Sequence, residues 1–240
     1  MTRLLVPLDG PVPAEVRVDG AAFHHLRVLR VATGEEVEVF DGRGRAFEAR
    51  VVAVARDHAT LRLGAARAVA PGRPVDIVQA LPKGDKLEVV LRKGTELGAH
   101  AFHPAISERS VSRPSPARAA ERQRRWQRIA AEAARQCGRS DVPVVHPVRL
   151  LPEVVRGLPV GTRVLVLDEE EREVRLAAAA GTDAPLALVI GPEGGLSRAE
   201  LEALRAAGAV SVSLGSLVLR TETAALAALA VLRHQDGLLG

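Results

Sequence analysis

The chain has no tyrosine, one tryptophan, four phenylalanines, one cysteine and one methionine in 240 residues. Aromatics make up 2% and hydrophobic residues 47%, so the core must be built from Leu, Val, Ile and Ala. A lone Cys137 excludes an internal disulfide and reads as a small buried residue rather than a nucleophile. Lysine is scarce too: only Lys83, Lys86 and Lys93 are present, and arginine carries the remaining positive charge. No apolar run reaches the length of a membrane span. The start, Met1-Thr-Arg-Leu-Leu-Val-Pro7, lacks the apolar stretch of a secretory signal. The expectation is a cytoplasmic protein of one large domain or two modest ones.

What charge there is lies unevenly. The net value is +4, but residues 73–140 hold 14 basic and 7 acidic groups, whereas residues 141–240 hold 9 and 13. A basic middle third suits a polyanionic partner, and it also suits a solvated helix face.

Residues 1–70 read as short β-branched strands, punctuated by Asp9-Gly10, Thr33-Gly34 and Asp41-Gly42. One helix over residues 21–30 interrupts them, with Leu26, Val28 and Leu29 as its apolar candidates. This pattern suits a small β-barrel or sandwich. Residues 70–74, with two prolines and a glycine, make a linker. Beyond it strands alternate with helices, which implies a largely parallel sheet covered on both faces. The longest helix spans 117–137, with Trp126, Ile129, Ala130, Ala133, Ala134 and Cys137 on its apolar stripe.

Two stretches could carry chemistry. The strand Leu186-Ala-Leu-Val-Ile190 empties into Gly191-Pro-Glu-Gly-Gly195, followed by Ser197 and Glu200 in a capping-box spacing. Glycines there let backbone amides approach a ligand closely. The loop fits neither a Walker phosphate loop nor a dinucleotide fingerprint. The second stretch, Ser213 to Ala224, breaks a strand at Gly215. It then sets Arg220 before Thr221-Glu-Thr223, where Thr221 or Thr223 can cap a helix. Arg220 is either a partner for Glu222 or a backbone carbonyl, or a guanidinium aimed at a ligand.

Together with four further stretches, these two resemble the SPOUT class of S-adenosylmethionine methyltransferases. More closely, they resemble the bacterial 16S ribosomal RNA uracil-N3 methyltransferase family. The further stretches are His24-His-Leu-Arg-Val-Leu-Arg30, Lys83-Gly-Asp-Lys86 with Lys93-Gly-Thr-Glu-Leu-Gly98, Ser107-Glu-Arg-Ser110, and Trp126 through Glu132 to Gln136 and Arg139. The family often has a basic residue where this chain has Leu217.

The resemblance implies an α/β fold: a trefoil-knotted methyltransferase domain over 74–240 and an N-terminal PUA-like RNA-binding barrel over 1–70. It implies a cofactor pocket formed by Leu165, Val166 and Leu167, by Ile190, Gly191, Pro192, Glu193, Gly194 and Gly195, and by Leu214, Gly215, Leu217, Val218 and Leu219. Thr223 and Ala224 complete it, and no metal is implied. Arg220 would stabilise charge on a uracil carbonyl. Glu222 and Glu96 are the candidate proton acceptors; otherwise they are a helix N-terminal charge and a buried structural partner. His24, His25, Arg27, Arg30, Arg122 and Arg125 would face RNA. Adjacent histidines do not share a helix face, which argues against a two-histidine metal site. A homodimer through the knot and a 16S RNA partner in the small ribosomal subunit complete the expectation. Its rivals are a methyltransferase acting on a ribose 2′-hydroxyl or transfer RNA, and a non-catalytic RNA-binding module.

Overall fold

The computed structural model describes residues 1–68, 72–181 and 183–240. Two units divide the chain: Met1–Pro71 with Ala134–Val142, and Gly72–Ala133 with Pro143–Gly240.

Short alternating runs build the first unit. Its strands are β1 (Thr2–Leu5), β2 (Glu15–Val18), β3 (Glu36–Phe40), β4 (Arg45–Val54) and β5 (Ala59–Ala68), with α1 (Gly20–Val28) after β2. They pair in the order β1-β3-β4-β5-β2, with β1 and β3 parallel and the rest antiparallel. Register shifts at Phe47/Ala49 and Val51/Ala53 bend the β4–β5 hairpin. Alternation gathers Val37, Val39, Phe47, Val51 and Leu61 into one core, which Phe23 and Leu26 of α1 join. Val28 and Leu29 are exposed, contrary to the helical spacing, because α1 ends at Val28 and Arg30 then turns the chain at φ 54°. Arg3 donates to the carbonyls of Ala134, Arg135 and Arg139, which ties that distant segment to this unit. The expected linker at 70–74 begins outside the described residues.

In the second unit, strands and helices alternate. The strands are β6 (Val75–Ala80), β7 (Ala101–Ile106), β8 (Val144–Val145), β9 (Arg149–Leu150), β10 (Arg163–Leu167), β11 (Leu186–Ile190) and β12 (Val210–Val212). The helices are α2 (Lys86–Glu96), α3 (Pro116–Cys137), α4 (Leu151–Arg156), α5 (Leu176–Ala180), α6 (Arg198–Ala206) and α7 (Thr221–Gln235). The sheet runs β12-β10-β11-β6-β7-β8, parallel throughout, with β9 also on β7. Its central strand β11 is buried along its whole length, as a sheet covered on both faces requires. Ile77, Leu165, Leu188 and Ile190 pack with residues of α2, α3, α5 and α7. Val78, Val166, Ala187 and Val189 pack with α4 and α6 on the other face. Trp126 is buried in the first of these cores. Cys137 is exposed, not packed: α3 stops there, Gly138 takes φ 87°, and the apolar stripe ends at Ala134.

The chain leaving β12 is bridged to the crossover from β10 to β11 at Ser213. The Ser213 amide donates to the Val174 carbonyl at 2.8 Å, and the Leu176 amide to the Ser213 carbonyl at 3.1 Å. From there the chain reaches α7, which packs on α2 and α5.

Candidate functional site

The exits of β10, β11 and β12 converge on one edge of the sheet, where open α/β sheets place ligands. A cleft of about 1060 Å³ opens there. Leu167, Ile190 and Leu214 form its floor at the strand ends. Gly191, Pro192, Glu193 and Gly195 form one wall. Gly215, Leu217, Val218, Leu219 and Arg220 form the other, with Ala224 behind them.

The glycine wall is rigid for local reasons. The Gly195 amide donates to the Pro192 carbonyl at 2.9 Å and closes a turn, with Gly195 at φ 67°. A Cβ on Gly191 would lie 2.9 Å from the Gly195 carbonyl carbon and 3.0 Å from the Leu196 nitrogen. Helix α6 then starts with the capping box read from the sequence, Ser197 and Glu200 each bonding the other's amide.

Side chains from β6 and α2 hold the two walls. Glu193 accepts from the Lys83 amide at 3.0 Å and from Lys86 Nζ at 2.7 Å. Burial pushes its carboxyl up, but the Lys86 and Lys83 hydrogen bonds outweigh that and keep it below the usual carboxylate range. Lys86 also lies 4.0 Å from Glu222, whose Oε2 is buried with no hydrogen-bond partner. Deeper in, Thr221 Oγ1 donates to the Gly191 carbonyl at 2.6 Å and accepts from Gln79 Nε2 at 2.9 Å. Gln79 thus joins the start of the glycine loop to the start of α7. Neither Thr221 nor Thr223 caps that helix: Arg220 is the N-cap and gives no side-chain bond.

Arg220 is exposed, and its side chain makes no hydrogen bond or ion pair with any described residue. Arg109 donates to the Gly194 carbonyl at 2.8 Å, and the buried pair Ser107 and Ser110 fixes the turn that carries it. Asp168, Glu169, Glu170, Glu171 and Glu173 line the cleft at the β10 exit.

Other expected residues lie elsewhere. Leu165 and Val166 are fully buried below the floor, and Gly194, Glu222 and Thr223 do not line the cleft. Glu96 pairs with Lys93 at 2.8 Å and is not a lining residue. His24, Arg27 and Arg30 are exposed on or just after α1, while His25 shares a 3.0 Å contact with Arg135. Arg122 donates to Ser112 Oγ, and Arg125 is paired with Glu88 at 2.9 Å. Sequence reasoning assigned no role to Lys86, Arg109, Gln79 or the acidic run at 168–173. The first two stand inside the family stretches, Gln79 is a polar residue in an apolar strand, and the acidic run was visible as charge.

Residues 70–233 match the family model of the RNA methyltransferase domain, and residues 18–64 that of the RNA methyltransferase PUA domain. The ribosomal RNA small subunit methyltransferase E of Mycobacterium bovis is 41% identical over 218 residues, covering 88% of this chain and 83% of its own. The crystal structure of a ribosomal RNA small subunit methyltransferase E from Neisseria gonorrhoeae, bound to S-adenosyl methionine, matches with a TM-score of 0.89 at 32% identity, over 98% of both chains. A Legionella pneumophila protein in complex with the same cofactor matches with a TM-score of 0.84 at 29% identity, again over 98% of both.

Proposed function

This chain belongs to the ribosomal RNA small subunit methyltransferase E family, and we propose that it moves the methyl group of S-adenosylmethionine to N3 of a uridine in 16S ribosomal RNA. The observation that carries the reading is the cleft at the knot, with a rigid glycine wall facing an unpaired Arg220.

The cleft suits this cofactor. Leu167, Ile190, Leu214 and Leu219 offer an apolar bed for a flat base, and glycine backbone lies beside it for the polar edge. Carboxylates at the β10 exit suit a sulfonium and an ammonium. When bound, the cofactor supplies an electrophilic methyl group. The walls orient base and donor, and orientation is worth roughly 7–11 kcal/mol in such reactions. Arg220 stabilises negative charge developing on a uracil carbonyl. The N3 proton goes to a carboxylate; neither Glu222 nor Glu96 lines the cleft, but Glu222 follows the lining residues Arg220 and Thr221 and its Oε2 has no hydrogen-bond partner, whereas Glu96 is held by Lys93.

Three further elements belong to this reading. The N-terminal unit contacts RNA through His24, His25, Arg27 and Arg30 on and beside α1. A second copy covers Leu217 and Val218, which are 79% and 72% exposed at the cleft lip, so the active form is a homodimer through the knotted domain. The protein works in the cytoplasm; among the described residues no helix is long and apolar enough to cross a membrane.

The test is to incubate the purified protein with small ribosomal subunits and labelled S-adenosylmethionine, then map the modified nucleoside. 3-Methyluridine at one position is expected. Label on a ribose 2′-hydroxyl, or none, refutes the proposal.

A further inference from the structure

Charge is divided across the cleft. Over β10 lie Glu169, Glu170, Glu171 and Glu173, with Arg172 the one cation among them; over β6 and β7, on the other side of β11, lie Lys86 and Arg109. The cations of this unit differ in how they are held. Carboxylates neutralise Lys86, Lys93, Arg125, Arg198 and Arg205 at 2.7–3.1 Å. Three arginines of the loop between β7 and α3 and of α3's first half are held by neutral acceptors instead. Arg109 bonds the Gly194 carbonyl, Arg113 the carbonyls of Ser107 and Glu108, and Arg122 the Ser112 hydroxyl.

A guanidinium on a carbonyl or a hydroxyl is fixed in place yet keeps its full charge, and it has spare donors for a second, bidentate partner. The three anchors follow one another outward from the cleft: Arg109 lines it, Arg113 folds onto the turn that carries Arg109, and Arg122 is tied to Ser112 one residue before Arg113. All three are exposed. The segment 107–122 holds four arginines against Glu108 and Glu121, so it remains net positive.

We propose that this 107–122 segment, through Arg109, Arg113 and Arg122, is a clamp for the phosphodiester backbone of the substrate RNA. The target strand enters over the β6–β7 side, while the acidic β10 side repels phosphate. The proposal rests on the RNA methyltransferase reading above and adds the direction of approach. It also separates Arg122 from Arg125, whose charge Glu88 already neutralises.

The experiment compares Arg113→Gln and Arg122→Gln with Arg125→Gln, using purified 16S ribosomal RNA at a series of salt concentrations. All three substitutions change net charge by the same amount and lie outside the cleft lining. One lost phosphate contact lowers the slope of log affinity against log salt by about 0.7–0.9, which is roughly five- to eightfold in affinity at 0.1 M salt. That loss is expected for Arg113→Gln and Arg122→Gln, with cofactor affinity by calorimetry and thermal midpoint unchanged. Arg125→Gln is expected to keep the parental slope. Parental slopes in the first two variants, or an equal loss in the third, overturn the clamp. A parent protein that methylates small subunits while the variants lose no affinity overturns the clamp alone; a parent that neither binds nor methylates RNA overturns the underlying reading.

Discussion

Thr221→Val tests whether the buried polar contact between the two cleft walls has the energetic role its geometry indicates. The hydroxyl is 7% exposed as part of Thr221, and Gln79 is 1% exposed. Valine keeps the shape and removes two hydrogen bonds, one to the Gly191 carbonyl and one from Gln79. No partner is stranded by that change. Gln79 Nε2 keeps the Ala80 carbonyl at 3.1 Å, and the Gly191 carbonyl keeps Gln79 at 3.4 Å. The cost is therefore that of two net bonds, about 2 kcal/mol, without an added desolvation penalty. Gln79→Leu should cost less, under about 1 kcal/mol, because Gln79 Oε1 is already buried with no partner and its removal offsets the lost bonds. Trp126, the only tryptophan, is buried in the core of the C-terminal unit. Its fluorescence in a urea titration reports that unit's unfolding. Cofactor affinity should fall severalfold for Thr221→Val, because Gly191 loses its short anchor, and stay parental for Gln79→Leu. A Gln79→Leu protein less stable than Thr221→Val would refute this account of the contact, as would Thr221→Val with parental cofactor affinity.

Arg220→Ala should lower methylation of small subunits at least tenfold, about 1.4 kcal/mol or more, while stability and cofactor affinity survive; equal turnover refutes its catalytic role. Gly191→Ala should cost about 1–3 kcal/mol and weaken cofactor binding, since the new Cβ meets backbone that cannot give way; binding at the parental level in calorimetry counts against the rigid wall. Burial alone would raise the Asp76 carboxyl, but hydrogen bonds from His100 and His103 outweigh it and bring it down from 3.8 to about 2. The fold therefore favours the ionised form, and the resulting stability is present above pH ~4 and lost as the pH falls toward about 2. Asp76→Asn should remove roughly 2 kcal/mol at pH 7, with the difference from the parent shrinking between pH ~4 and ~2; a difference independent of pH refutes the linkage.

Much of the architecture was legible because its elements are long and regular. The buried run at β11, the stripe through Trp126 and Ala130, and the Ser197–Glu200 spacing each point to one local structure. Elements β8, β9, α4 and α5 were not legible, since two to six residues are too few to show a period. Val28, Leu29 and Cys137 misled for the opposite reason: an apolar spacing can run on past the point where the helix has stopped. The glycine loop marked the cleft, but its supports did not announce themselves. Gln79 meets Thr221 across 142 residues of chain, so no window of sequence contains both. The threading of the C-terminal segment came from family resemblance, because periodicity carries no information about which segment passes inside which.

The assignment of Ala134–Val142 to the N-terminal unit bears on how the protein is born. Arg3 holds carbonyls of a segment synthesised some 130 residues later. Translation runs at roughly 5–20 residues per second, so β1–β5 emerge many seconds before the piece that completes them. During that interval the Arg3 guanidinium lacks its carbonyl partners, and the nascent unit is incomplete. Cutting the gene after residue 71 would make that interval permanent. The two units are interleaved along the chain, and the N-terminal one is finished only after more than half of the polypeptide has been made.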